Sequence, residues 1–483
     1  MSKPNILLLM CDQFRGDCLS IMGHPDVQTP YLDSIGSQGV VFENAYSATP
    51  SCIPARAALL TGRSQTGHGR VGYEDNIDWD YQHYMAEEFS NANYQTQCIG
   101  KMHVHPPRLT CGFQGLKLHD GYLGCYRRQD IPHWMHQEVH DDYLLDLKNK
   151  VGQFGDVTSS GPECNSFVVH PWIYDEDLHP TNWVADQSIR YLQTRDRTRP
   201  FFLMSSFVRP HMPLDPPKSY LDIYKGKDLR PPVTGEWDNI EKTIENQFNY
   251  DSIYGTDIES LKKDCLAGYY ASITHVDHQI GRILLALQEQ GVLEDTIILF
   301  VSDHGEMLFD HHLWRKVFPY QGSVHIPFLM RVGKNILKTT SKRITEVVEL
   351  RDIMPTLLDL CGIDIPETVD GLSLKETLTD TSAHIRDYLH GEHSFHDGLS
   401  NHYIVTQNAK YIWYSETGNE QFFDLIKDPN EIHNAINDLE YLDKINELRN
   451  CLIKELTGRP ENYTDGKHLI PGQKAVNMIK HPQ

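Results

Sequence analysis

Ser51-Cys52-Ile53-Pro54-Ala55-Arg56-Ala57-Ala58-Leu59-Leu60-Thr61-Gly62-Arg63 is the stretch around which the rest of the chain can be placed. It reads as a short helix with a reactive group at its front. Proline suits the first helical turn, where its missing N–H loses no intrahelical bond. Ala55 to Leu60 are good helix formers, and Gly62 can close the end in the left-handed conformation. Cys52 therefore lies at or just before a helix N-terminus, where free N–H groups and the dipole favour an anion. Arg56, one turn on and on the same face, can hold negative charge beside it. A cysteine at a helix start can equally be a small, inert hydrophobe, so its neighbours in the fold decide its chemistry.

Outward from this helix, three largely apolar runs read as buried strands of a parallel sheet: Ile6 to Met10, Pro200 to Ser205, and Thr296 to Val301. Each runs into polar residues. Asp12-Gln13 follows the first, Arg209-Pro210-His211-Met212-Pro213 the second, and Asp303-His304-Gly305-Glu306 the third. Open α/β sheets gather ligand groups at this carboxyl edge. Thr29-Pro30 reads as a capped helix start, and Gly39-Val40-Val41-Phe42 as a strand leading to the Cys52 loop. Trp183 to Leu192 reads as a helix. Leu266, Tyr270, Ile273, Val276, Ile280, Ile283 and Leu287 recur every three or four residues, which predicts an amphipathic helix. His275 and His278 on it read as partly buried helix residues and not as ligands. Gly371 and the polar stretch 379–382 suggest a boundary. Beyond it, Tyr403 to Thr406, Lys410 to Tyr414 and Gln421 to Leu425 read as short strands of a small antiparallel sheet, followed by a helix over 438–456.

The chain has 483 residues, long enough for one large domain and a smaller one. A formal net charge of −22 argues against nucleic acid or an anionic membrane as partner. It leaves an anionic substrate open, because distant surface charge is screened. The ten cysteines form no Cys-x-x-Cys pair and no zinc-like spacing, and read as free thiols of a reducing compartment. The apolar run at the N-terminus is too short for a signal peptide, and no run of about 18 apolar residues predicts a membrane span. The expectation is a cytoplasmic protein, unless a signal has been trimmed. Oligomeric state is not legible.

The spacing Cys52-x-Pro54-x-Arg56, with Leu60-Thr61-Gly62-Arg63 after it, resembles the signature of the type I sulfatases. In that family the cysteine is oxidised by a maturase to formylglycine, whose hydrated aldehyde is the nucleophile. The resemblance extends to Asp12-Gln13, Gly100-Lys101-x-His103, Pro210-His211-x-Pro213, Asp303-His304-Gly305 and Lys316. Gln13 is a departure, since many members carry a second aspartate there. The Asp-His-Gly version also occurs in phosphonate monoesterases and choline sulfatases. Val348 to Leu358 resembles the closing helix of the main domain, and the chain end resembles the C-terminal subdomain.

The resemblance implies an alkaline-phosphatase-like α/β fold: a large mixed, mostly parallel sheet sandwiched by helices over 1–375, then an α+β subdomain over 385–483. It implies one divalent metal ion at Asp12, Gln13, Cys52, Asp303 and His304, with Ca²⁺ first and Mg²⁺ or Mn²⁺ as alternatives. Arg56 and Lys101 would hold the hydrate and the sulfate. His211 and Lys316 would serve the leaving oxygen, and His103 would be the base of the elimination step. The expected activity is hydrolysis of a sulfate monoester, on a carbohydrate or another small molecule. The alternatives are a phosphonate or phosphate ester hydrolase and a non-catalytic binder of sulfated glycans. The Tyr-, Trp-, His- and Gly-rich stretch 116–179 reads as an insertion at the pocket rim. Its Trp134, Trp172 and Tyr174 suit either stacking on a sugar or packing.

Overall fold

The computed structural model describes residues 3–120, 141–395 and 398–479. Its centre is β1 (Asn5–Asp12), a strand whose last seven residues are all buried. It lies parallel between β5 (Phe201–Pro210) and β6 (Thr296–Ser302), with Leu8 opposite both Met204 and Leu299. Around these three are β2 (Val40–Tyr46), β3 (Gln95–Gly100), β4 (Gly115–Leu118), β7 (Phe328–Val332) and β8 (Arg343–Glu349). The eight strands run in the order β4-β3-β5-β1-β6-β7-β2-β8. Only β7 is antiparallel to its neighbours. The sheet is therefore mixed and mostly parallel, as expected.

Side chains of a strand alternate between the two faces, and here both faces are covered. Leu7 and Leu9 enter one core with α1 (Pro30–Gln38), α3 (Pro180–Thr194) and the long α4 (Glu259–Glu289). Ile6, Leu8 and Met10 enter the other with α2 (Cys52–Thr61) and α5 (Ile353–Leu360). Burial on two sides is why β1, β5 and β6 read as largely apolar runs instead of alternating ones. His275 on α4 is buried and bonded to Asn182, and His278 meets the Tyr220 hydroxyl at 3.2 Å; both belong to packing.

The start of α1 differs from the sequence reading. The Thr29 side chain does not cap it but bonds Asp33. Instead Asp277, reaching across from α4, accepts the N–H groups of Leu32 at 2.7 Å and Tyr31 at 3.3 Å. Burial pushes its carboxyl up to about 7. A carboxyl that binds its proton more tightly in the folded chain favours the fold at low pH. That contribution is complete below about pH 4 and is lost as pH rises through 7. Asp277→Asn keeps an acceptor without the charge. Relative to the parent, it is expected to gain about 2–3 kcal/mol between pH 5 and pH 8, measured from urea midpoints at both values. A difference that does not change with pH would mean that this carboxyl titrates normally.

The second sheet is antiparallel, in the order β12-β11-β10-β9, with β9 (Leu389–Ser394), β10 (Ser400–Val405), β11 (Ala409–Tyr414) and β12 (Glu420–Asp424). One face packs on α6 (Leu442–Leu456) through Trp413, Ile445, Leu448 and Leu452. The other packs on the main domain, where Tyr403 and Phe423 join Tyr46, Met307 and Tyr320. Beneath them Lys410 pairs with Glu431 at 2.6 Å, fully buried. Strand β9 was not legible. Its sequence, Leu-His-Gly-Glu-His-Ser, is polar, yet every residue is buried, because Glu392 pairs with Arg459 at 2.8 Å. The backbone of β9 bonds Ala48 and Val71 of the main domain, which brings the small subdomain against the start of α2. Val348, expected in a helix, lies in β8; the helix begins at Ile353. In the stretch 116–179, Trp134 lies outside the described residues. Trp172 is buried, packed on Tyr174 and His179, so packing describes it.

Candidate active site

Helix α2 has the anticipated form. Cys52 is its first residue, after Ser51 in extended conformation, and Gly62 ends it at φ +67°, its N–H on the Ala58 carbonyl. Cys52 points at the carboxyl ends of β1 and β6. Its sulfur lies 3.3 Å from His304 Nε2, 3.5 Å from Asp12 Oδ1 and 3.7 Å from Lys316 Nζ. All four residues are at least nine-tenths buried.

Asp12, Cys52, Asp303 and His304 each offer one ligand atom, and these atoms lie within 4.8 Å of one another. His304 Nδ1 donates to the Gly305 carbonyl at 2.9 Å, which leaves the Nε2 lone pair facing Asp12 and Cys52. Burial also lowers the His304 pKa, so the ring is neutral, as a ligand must be. Asp303 Oδ1 accepts the backbone N–H groups of Gln13 and His304, while Oδ2 takes Arg56 Nε at 3.0 Å. Burial alone would raise Asp12, but the cations beside it, Lys101 first and Lys316 with it, hold it well below the usual carboxylate range. Two buried carboxylates and a neutral imidazole form a donor set that fits a hard divalent cation.

The remaining expected residues converge on the same point. Lys101 bonds Asp12, and Arg56 donates through Nη1 to the Lys101 carbonyl at 2.7 Å and Ser206 Oγ at 3.1 Å. Among the described residues, nothing engages Arg56 Nη2. Lys101 can stand here because Gly100 adopts φ +97° where a Cβ would meet the Ser206 carbonyl at 1.9 Å. Lys316 Nζ donates to Gln13 Oε1 at 2.7 Å and to His211 Nε2 at 2.9 Å. His211 Nδ1 donates to the Met212 carbonyl at 2.8 Å, so its Nε2 must be the acceptor. Burial and Lys316 keep the His211 ring well below its ordinary pKa. His103, at φ +58°, is buried; among the described residues neither ring nitrogen makes a hydrogen bond, and Nε2 faces the Asp75 carboxylate at 3.7 Å. Every expected site residue is thus at the carboxyl edge of the large sheet.

Two contributors were missed. Glu306 is buried, holds the Gln13 amide, and accepts the N–H groups of Leu308 and Arg315. It therefore anchors both Gln13 and the loop that delivers Lys316. His393, from β9, bonds Ser51 Oγ at 2.9 Å. Glu306 stood in a quoted motif, but nothing local marked its reach; His393 lies 342 positions from its partner.

Above Cys52 and Lys316 opens a cavity of about 310 Å³, lined further by Ser51, Tyr73, Asn165, Ile253, Arg315 and Val317, and by His393, Ser394 and Phe395 of the small subdomain. It is of a size for a small molecule.

The chain was compared with known proteins. A family model described as Sulfatase matches residues 4–363, and one described as N-sulphoglucosamine sulphohydrolase, C-terminal, matches residues 309–457. The sequence is 52% identical over 480 residues to an arylsulfatase of Clostridium perfringens, covering 99% of both chains. It is 30% identical to an ulvan-active sulfatase of Formosa agariphila, covering 97% of this chain and 84% of that one. The crystal structure of a phosphonate monoester hydrolase of Agrobacterium radiobacter superposes with a TM-score of 0.75 at 25% identity, covering 94% and 95% of the two chains.

Proposed function

The chain belongs to the sulfatase family, enzymes that hydrolyse sulfate esters, and from that premise we propose that it cleaves a sulfate monoester of a carbohydrate or similar small molecule with Cys52 converted to formylglycine. The observation that carries this reading is the position of Cys52, at the cavity floor, within 3.7 Å of a carboxylate, an imidazole and an ammonium. Asp12, Gln13, Asp303 and His304 would hold the divalent cation, for which the mainly oxygen donor set favours Ca²⁺, with Mg²⁺ or Mn²⁺ as alternatives. Such an ion supplies Lewis-acid stabilisation of sulfate oxygens and favours an ionised hydroxyl.

The chain's own residues divide the remaining work. Arg56 Nη2, buried and unengaged among the described residues, is available to a sulfate oxygen, and Lys101 adds a second cation beside Asp12. Together they neutralise charge that grows in the transition state. Lys316 serves the leaving oxygen: its ammonium is a donor, whereas His211 Nε2 accepts from it. His211 therefore orients the acid. His103, buried beside Asp75, whose Oδ1 lies 3.7 Å from its Nε2, is the base for the elimination that releases sulfate.

Mass spectrometry of the peptide containing Cys52, from enzyme made alongside a maturase, is expected to show loss of sulfur and gain of oxygen. An active preparation that carries only the thiol would sink the formylglycine mechanism. Assaying sulfated mono- and disaccharides, aryl sulfates and phosphonate esters side by side tests the substrate class. Turnover confined to phosphonates would replace it with the phosphonate hydrolase reading.

A further inference from the structure

Among the described residues, the cavity is lined by Lys316 and Arg315 and by no aspartate or glutamate, although the chain as a whole carries a formal charge of −22. Its two cations have different commitments. Lys316 faces the sulfate pole, bonded to Gln13 and His211 beside Cys52. Arg315 takes no part in that network. Its backbone is pinned on both sides, N–H to Glu306 and carbonyl to the Met307 N–H at 2.7 Å. Its guanidinium uses Nη1 alone, on Asp251, whose carboxylate is 62% exposed. Among the described residues nothing engages Nε or Nη2. An exposed pair of this kind is weak and screened by salt, and the remaining N–H edge is a fork that matches a planar oxyanion.

We propose that Arg315 forms a second anion subsite, which selects substrates whose leaving group carries a carboxylate or a further sulfate besides the ester that is cleaved. The proposal rests on the reading that this cavity receives the leaving group. A loop fixed at its backbone and open at its side chain holds such a group at low entropic cost.

The test uses aryl sulfates matched except for one ring substituent: carboxylate, sulfonate, or the neutral carboxamide. The readout is the ratio of kcat/KM for each anionic substrate to that for the carboxamide, which cancels any general damage to Lys316. Arg315→Gln is expected to lower the ratio roughly ten- to hundredfold, the worth of a charge-assisted hydrogen bond. Arg315→Lys, which keeps the charge and loses the fork, should fall between. A larger effect on the sulfonate identifies a second sulfate as the recognised group, and a larger effect on the carboxylate identifies a uronate-like acid. An unchanged ratio, including an equal loss on all three substrates, overturns the subsite. If wild-type enzyme cleaves none of the three while cleaving other sulfate esters, the cavity does not receive such leaving groups and the proposal falls with that reading.

Discussion

Asp303→Ala is expected to lose bound metal and turnover together, with kcat/KM down by about three orders of magnitude or more, since a metal that stabilises charge in the transition state is worth several kcal/mol. Asp303 directly follows β6, a strand with both faces covered, is wholly buried, and lies within the cluster formed with Asp12, Cys52 and His304. Its removal also strands Arg56, whose Nε donates to it at 3.0 Å; an unpaired buried charge costs about 3–5 kcal/mol. Asp303→Asn keeps the volume and an acceptor for Arg56, so it separates loss of the metal ligand's charge from loss of the fold. His278→Ala is the control. That side chain is half-buried on α4 and meets Tyr220 and Tyr31, so its removal should shift stability by no more than about 1 kcal/mol and leave metal and rate near wild type. Elemental analysis of each purified protein, beside its rate and unfolding curve, decides the matter. Equal metal loss in the His278 and Asp303 variants would place the site elsewhere.

The reason Asp303 could be picked out beforehand also explains what could not. Asp12, Asp303 and His304 each follow a short apolar run, the pattern that a strand buried on two faces requires. The carboxyl end of such a strand is a predictable place. Arg56 and Cys52 share a helix, so one turn of separation was enough to put them on one side. Glu306 carries no such mark. Its importance comes from holding the Gln13 amide 293 positions away and two backbone N–H groups of a loop, and periodicity does not report pairings across that distance. The same holds for Asp277, which caps a helix of which it is not a part. Strand β9 was missed for a different reason. Its burial depends on ion pairs such as Glu392 with Arg459, so its sequence has no apolar alternation, yet it delivers His393 to Ser51 at the start of α2. The aromatic residues of the 116–179 stretch fit either packing or sugar stacking by composition. Trp172 was settled by its neighbours, Tyr174 and His179.

Removal of the groups that face the leaving oxygen should produce a loss that depends on the leaving group. Departure of a sugar or alkyl alkoxide needs a proton in the transition state, whereas a nitrophenolate leaves without one. General-acid help is typically worth about 10²–10⁴-fold. Lys316 Nζ lies 2.9 Å from His211 Nε2, and His211 Nδ1 is tied to the Met212 carbonyl, so the proton rests on the lysine side of the pair. Lys316→Ala should therefore slow an alkyl or sugar sulfate by about that factor and nitrophenyl sulfate far less. His211→Ala should show the same selectivity at smaller size, because it releases the lysine from its position without removing it. Arg56→Ala, whose Nη2 belongs to the sulfate end, should slow both substrates alike. The comparison is kcat/KM for the two esters across wild type and the three variants. A uniform drop in Lys316→Ala would move that lysine to sulfate binding. If His211→Ala alone kept the leaving-group dependence, the imidazole would be the acid, which would require its Nε2 to gain a proton that the present hydrogen bonds deny it.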